Sequence, residues 1–264
     1  MFATADSLGA EAVQVFVANP RGWAPPAQDP AGDEAFRAEA ARRRLAVFVH
    51  APYLINFGSP SSETLARSRD ALAFSLRRGA ALGARGVVMH AGSAVLGNRW
   101  DDAMEQVRSH VLPVLDAGGG PTLLIEPTAG GGGALAHDAD ALGAYLDVLG
   151  RHERVGVCLD TCHMHAAGHD LSTLGGFAAA LRAYGRAAGR GRIGLVHVND
   201  SRDPAGSRRD RHEAVGRGTI GHDPFATLFR ATATRNVAMV VETAEADHAA
   251  DIATLKALRA APSP

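Results

Sequence analysis

Seven short, nearly all-apolar runs alternate with longer Ala/Leu/Arg segments of helical period. This pattern predicts an α/β fold, a (β/α)8 TIM barrel that lacks its first strand in this chain. The strand–helix unit repeats at roughly 35–40 residues, the size of a right-handed parallel crossover. No composition shift marks a second domain, so residues 1–264 are expected to form a single barrel. Runs that are apolar at every position suit parallel strands covered on both faces. No G-x-G-x-x-G follows the first run, which lowers the rival doubly wound sheet.

The elements follow in order. A short helix is expected near 6–11. Strands are expected at 13–18 (VQVFVA), 46–51 (AVFVHA), 86–91 (GVVMHA), 122–126 (TLLIE), 155–160 (VGVCLD), 193–198 (IGLVHV) and 237–242 (VAMVVE). Helices are expected near 33–44, 63–82, 101–117, 138–150, 173–189, 224–231 and 245–260. Ser62-Glu63 and Asp101-Asp102 place acidic first turns at two helix starts, where the helix dipole favours negative charge. The stretches 130–133 and 200–223 read as rim loops. A closed barrel needs an eighth strand ahead of the first helix. Either that strand is encoded upstream, or the sheet is open between 13–18 and 237–242, and an unpaired parallel edge is a liability.

Composition narrows the function. The chain has 46% hydrophobic and 21% charged residues, enough for a substantial core. No apolar run approaches the ~18 residues of a membrane span. No secretory signal is visible at the N-terminus, and the two cysteines, Cys158 and Cys162, suit a reducing compartment, so a cytoplasmic protein with no membrane partner is expected. The net charge of −1 means that any nucleic-acid contact must come from a local patch. Lys256 is the one lysine, a bias that fits genomic base composition. Twelve histidines are many, and histidine is the commonest side-chain metal ligand.

The ends of the expected strands carry the chemistry. Six consecutive strands finish on His50, His90, Glu126, Asp160, His197 and Glu242. In a barrel these ends share one mouth. His163 follows Asp160 by three residues, and Asp210 and His212 lie in the long loop, giving nine candidate ligands. One strand-end histidine is ordinarily a hydrogen-bonded structural residue. Several carboxylates converging on one mouth are different, because they repel one another unless cations intervene. Imidazole with carboxylate suits Zn2+, Mn2+ or Fe2+, and nine ligands exceed what one ion takes, so two or three ions are expected. His110, His137, His152 and His248 are expected in ordinary packing, with His165, His169 and His222 nearer the mouth. Cys158 reads as core, and Cys162 as packing before ligand.

The strings VHAPYLINFGSP (49–60), MHAGS (89–93), IEPTAG (125–130), GVCLDTCHMHAAGHD (156–170), HVNDS (197–201), GSRRDRHEAVGRGTIGHDPF (206–225) and VVET (240–243) resemble the signature blocks of the endonuclease IV family. Those enzymes are zinc-dependent apurinic/apyrimidinic endonucleases on a TIM barrel, and the resemblance runs from about Glu11 to Leu258. It implies three zinc ions, with manganese or iron admissible at one site. His50, His90 and Glu126 would hold the first ion. Glu126 would bridge to a second, also held by Asp160, His197 and Glu242, and His163, Asp210 and His212 would hold the third.

The implied reaction is hydrolysis of the phosphodiester 5′ to an abasic site in duplex DNA, leaving a 3′-hydroxyl, with trimming of 3′-blocked ends as a second activity. Glu126 is the implied catalytic base. Arg21, Tyr53 and Leu54 are the implied contacts to a flipped-out lesion, with Arg208 and Arg211 of the basic loop as phosphate contacts. A monomer is the default for such a barrel. Two departures stand out besides the absent N-terminal block: Pro127 where the family has Asn, and Ala91 where it more often has Pro.

Two rival readings remain. A xylose-isomerase-like sugar isomerase or epimerase would use Glu126, Asp160, His197 and Glu242 for one or two ions, but has no need of His50, His90, Asp210 and His212. A non-catalytic DNA-lesion binder would have no need of an intact ligand set.

Overall fold

A computed structural model describes residues 1–95 and 97–261. Its elements run α1 (Phe2–Leu8), β1 (Ala12–Phe16), α2 (Pro30–Arg42), β2 (Ala46–His50), α3 (Ser62–Leu82), β3 (Gly86–His90), α4 (Trp100–Asp116), β4 (Thr122–Glu126) and α5 (Ala139–Val148). They continue β5 (Val155–Asp160), α6 (Thr161–Ala167), α7 (Leu174–Ala188), β6 (Ile193–His197), β7 (Asp200–Ser201), β8 (His212–Glu213), α8 (Thr227–Arg230), β9 (Ala238–Val240) and α9 (His248–Ala260). Seven strands form one parallel sheet in the order β1-β2-β3-β4-β5-β6-β9, a nearly closed barrel with helices outside. β1 and β9 are its two edges, so the seven expected strands share one sheet that is open between those two runs. β7 and β8 make a small antiparallel ribbon.

Period-2 alternation sorts the strand residues. Phe48, Val88, Leu124, Cys158, Leu195 and Val240 pack together inside the barrel. Their neighbours Val49, Val87, Leu123, Ile125, Val157 and Val196 face the helices in the larger outer core. The inward layer is tight around Leu124. A Cβ on Gly86 or Gly194 would lie 2.6 Å or 2.8 Å from its side chain, so these strands need glycine there. Two residues beyond Phe48, Val88, Leu124, Cys158 and Leu195, the same inward parity delivers His50, His90, Glu126, Asp160 and His197 to one end of the barrel.

Local chemistry sets the boundaries. α1 lies earlier than the expected 6–11, because Gly9 in the left-handed region (φ 58°) closes it and sends its N–H back to the Ala5 and Asp6 carbonyls. α2 starts at Pro30 because the Asp29 side chain caps the Gly32 N–H. The 224–231 helix divides into a 3-10 turn at Asp223–Ala226 and the single turn of α8. The last strand stops at Val240, two residues short of the expected end, because the Glu242 N–H bonds the Asn199 side chain (2.8 Å) and not a strand partner. No helix among the described residues is long and apolar enough to cross a membrane.

Candidate metal centre

β2, β3, β4, β5 and β6 end on His50, His90, Glu126, Asp160 and His197. α6, not expected from the sequence, carries His163. Asp160 is its N-cap, accepting the His163 N–H at 2.9 Å, so one carboxylate both starts the helix and faces the site. Asp160 followed three residues later by His163, with Gly168 closing the segment, is the signal that a short helix begins there. The β7–β8 ribbon and its loop bring in Asp210 and His212. Glu242 follows β9 with the inward parity of Val240.

These nine side chains meet as three sets, the first two sharing Glu126: His50–His90–Glu126, Glu126–Asp160–His197–Glu242 and His163–Asp210–His212. Within each set the candidate ligand atoms lie within 4.8 Å of one another. Glu126 is wholly buried and belongs to two of them. Its Oε2 has no hydrogen-bond partner, although His50 Nε2 and His90 Nε2 each stand 3.4 Å away. The buried Nε2 of His212 is likewise without one, 3.0 Å from Asp210 Oδ1 and 3.7 Å from Asp160 Oδ2. Buried polar atoms are ordinarily satisfied, so orphaned atoms aimed at one another mark a place for a cation.

At two of these histidines the other ring nitrogen is occupied. His50 Nδ1 lies 2.6 Å from the Ala51 carbonyl, and His163 Nδ1 lies 3.0 Å from the Pro127 carbonyl. A ring nitrogen facing a carbonyl must carry the hydrogen, which leaves Nε2 with its lone pair toward the carboxylates. The donor set therefore fits divalent ions of the zinc type. Two more sets include a thiol, Cys158 with Glu126 and His197, and Cys162 with Asp160 and His212. Burial pushes the Cys158 thiol up to about 12 and raises Cys162 above its ordinary value, which favours the carboxylates as ligands.

Charges are strongly coupled here. Burial works to raise the Glu126 pKa, but His197 and His90 outweigh it and hold the carboxyl well below the usual range. Glu242 is held at about 2 in the same way, mainly by His197 against burial. Burial dominates at Asp160, raising it, and at His90, lowering it to about 4. At His163, His197 and His212 burial favours the neutral ring, yet nearby acidic groups prevail and raise all three, His212 to about 9.

The expected rim residues are dispersed around this mouth. Tyr53 is 44% exposed, and its ring stacks on His90 (5.5 Å) and meets His50 edge-on (5.1 Å). Its N–H bonds the Pro20 carbonyl at 3.0 Å, which ties Tyr53 and Leu54 to the turn carrying Arg21. Arg21 and Arg208 are exposed, and Arg208 sits beside the glycine turn at Gly130 and Gly131. Arg211 is also exposed but clasps Asp203 with both ends of its guanidinium, at 2.6 Å and 2.5 Å.

The sequence reading missed four residues around the mouth. Phe16, 40% exposed, packs on Tyr53 and His50. Gln14 touches His197 and Glu242. Asn199 joins Asp160 to the Glu242 backbone. Asp200 takes five backbone N–H groups of the ligand loop. None was singled out, although Gln14 and Phe16 lie inside an expected strand in register with Phe48 and His50, and Asn199 and Asp200 follow His197 by two and three residues within the HVNDS block.

The family model described as "Xylose isomerase-like TIM barrel" matches residues 2–260. A Streptomyces coelicolor protein named "Probable endonuclease 4" is 51% identical over 260 residues, spanning 97% of this chain and 88% of that protein. The chain belongs to the endonuclease IV family. The crystal structure of endonuclease IV from Thermus thermophilus superposes with a TM-score of 0.84 at 33% identity, covering 97% of this chain and 93% of that one. A D-tagatose 3-epimerase-like protein reaches a TM-score of 0.73 at 16% identity, over 94% of this chain and 88% of that one, a likeness of fold alone.

Proposed function

We propose that this endonuclease IV family member hydrolyses the phosphodiester on the 5′ side of an abasic site in duplex DNA, leaving a 3′-hydroxyl, and trims blocked 3′ ends. The observation that carries this reading is the buried Glu126 carboxylate. Its free Oε2 faces two imidazoles, and six further ligand-type side chains gather around the same mouth. An epimerase would use the Glu126, Asp160, His197 and Glu242 set and leave the other five idle.

Three divalent ions fit the residues as follows: one on His50, His90 and Glu126, one on Glu126, Asp160, His197 and Glu242, and one on His163, Asp210 and His212. Bound there, such ions supply Lewis acidity and a water that deprotonates near neutral pH. The protein supplies the rest. Glu126, kept ionised by its histidines, is an acceptor that orients the attacking water and takes its proton. Attack in line at phosphorus breaks the bond to the 3′ oxygen, which leaves as an alkoxide and takes its proton from solvent water. The Tyr53 phenol, raised chiefly by burial and further by Glu242 and Glu126, stays protonated as a donor beside the scissile group.

Tyr53 and Phe16 present apolar ring surface above His50, a shape that suits a sugar turned out of the helix. A site without a base is the least costly to turn out. Arg21 and Leu54 on the adjoining turns then face the duplex, and Arg208 meets a backbone phosphate.

The deciding experiment measures metal content by mass spectrometry together with cleavage of a duplex oligonucleotide holding one abasic analogue, with and without chelator. Chelator-sensitive nicking 5′ to the analogue is expected. A zinc-loaded protein that leaves this duplex intact would overturn the reading.

A further inference from the structure

Gln14 stands at the seam of the open barrel. It lies on edge strand β1, in register with Phe48 of β2, and its side chain contacts groups of the opposite edge. Its Nε2 is 2.7 Å from Glu242 Oε1, and its Oε1 is 2.9 Å from His197 Nε2. These two contacts fix the chemistry of three groups in turn. A carboxylate oxygen only accepts, so the amide must point its NH2 at Glu242. The amide oxygen then faces His197 and also only accepts, so His197 Nε2 must carry the hydrogen. The lone pair of the neutral ring is therefore on Nδ1. That nitrogen lies 3.1 Å from Glu126 Oε1, 3.0 Å from Glu242 Oε2 and 3.9 Å from Asp160 Oδ2.

We propose that Gln14 is a positioning residue that selects Nδ1 of His197 as its metal-binding nitrogen and, through Glu242, ties together the two unpaired edges of the sheet at the metal end. The inference rests on the metal reading of the site given above. At His50 and His163 the same task falls to backbone carbonyls, those of Ala51 and Pro127. At His197 it falls to a side chain from the far side of the seam, across which β1 and β9 form no strand pairing. One amide thus couples barrel closure to ligand orientation.

The test uses the zinc-loaded protein with Gln14→Leu, which keeps the volume and removes both contacts, and Gln14→Glu, which keeps an acceptor for His197 but loses the donor to Glu242. Ring-nitrogen NMR of the wild type is expected to show His197 with its hydrogen on Nε2 and Nδ1 as the ligating atom. Gln14→Leu is expected to lose that signature or exchange the Nε2 hydrogen rapidly. It should also release one zinc to a competing chelator about 10- to 100-fold faster, the usual effect of removing a partner behind a ligand. Its kcat should fall while KM holds. Gln14→Glu is expected to keep the His197 signal and to fall between the two in zinc release.

If Gln14→Leu does not fold, the wild-type spectrum and Gln14→Glu still decide: a His197 hydrogen on Nδ1 in the wild type overturns the proposal. Wild-type protein that takes up no zinc overturns both this role and the metal reading. Zinc retention and ring signals indifferent to Gln14→Leu overturn this role alone.

Discussion

The His163 ring donates from Nδ1 to the main-chain carbonyl of Pro127 at 3.0 Å. Pro127 is also the position where the resemblance to the family implies an asparagine, beside the shared ligand Glu126. The departure removes a side-chain donor but keeps the main-chain acceptor that orients His163, and any residue at 127 offers that acceptor. Pro127→Asn is therefore expected to leave zinc stoichiometry unchanged, with kcat/KM the quantity that responds. Loss of one zinc on this substitution would mean that the proline ring itself shapes the site.

Glu126→Gln tests the centre of the site. The substitution keeps shape but removes the charge that four histidines surround: His50 and His90 at 3.4 Å, His163 at 3.3 Å, and His197 at 3.1 Å. Partners behind metal ligands are worth about 10- to 100-fold, so loss of the shared ligand should cost activity at least that much, with zinc content lowered. Retained turnover on an abasic duplex would remove Glu126 from its role as base.

The strand ends were readable from sequence because inward parity is fixed by a period of two, and a polar residue closing an apolar strand is conspicuous. His50, His90, Glu126, Asp160 and His197 all obey that rule. Asn199, Asp200 and Gln14 were not readable. Their importance lies in which groups they touch across 39 residues (Asn199 to Asp160), 21 residues (Asp200 to Gly221) and 228 residues (Gln14 to Glu242). Only the folded barrel and its rim loop bring these partners together. The one-turn and two-residue elements, α8, β7 and β8, carry too few residues to show a period at all.

Asp200 shows how the ligand loop is held. Its buried carboxylate accepts the N–H groups of Ser201 and Ile220 on Oδ1 and of Gly216, Gly218 and Gly221 on Oδ2. A Cβ at Gly218 would lie 2.3 Å from the Ser201 carbonyl, so the wrap requires glycine. Asp200→Ala leaves several buried donors without a partner, at about 1–3 kcal/mol for each that water cannot reach. The expected result is a lower melting temperature and loss of the ion assigned to His163, Asp210 and His212 before the other two. Uniform loss of all three would show that the loop is not separately organised.

Proton linkage gives the site a pH signature. Without metal, His163, His197 and His212 hold protons more tightly than ordinary histidines, because nearby acidic groups outweigh burial. Zinc uptake must displace those protons, so apparent affinity should rise from pH 6 to 9 and calorimetry in two buffers of different ionisation enthalpy should register proton release at pH 7. For the metal-free fold the signs oppose. The raised histidines stabilise fully below the unfolded value of about 6.5 and lose this as pH rises through their folded values, about 9 for His212. The lowered Glu126, Glu242 and Asp210 stabilise above their unfolded values near 4 and lose this as pH falls through their folded values. Metal-free protein should melt highest between about pH 4.5 and 6.5, and a melting temperature that climbs steadily to pH 9 would contradict the coupling.

Two arginines of the basic loop separate phosphate binding from loop structure. Arg211 is engaged by Asp203 through two hydrogen bonds, and that pairing holds the Asp203 carboxyl below its ordinary value. Arg208 makes no ion pair among the described residues and sits in the left-handed region at φ 56°, with its N–H bonded to the Ala166 carbonyl. A free cation releases counterions when it meets a phosphate, whereas a cation already neutralised by a carboxylate releases fewer. Arg208→Ala should therefore weaken binding to duplex DNA with an abasic analogue and reduce the slope of log affinity against log salt by about 1. Arg211→Ala should change that slope less and lower thermal stability more. The opposite ranking, measured by fluorescence anisotropy at several salt concentrations, would mean that Asp203 yields Arg211 to the DNA when the complex forms.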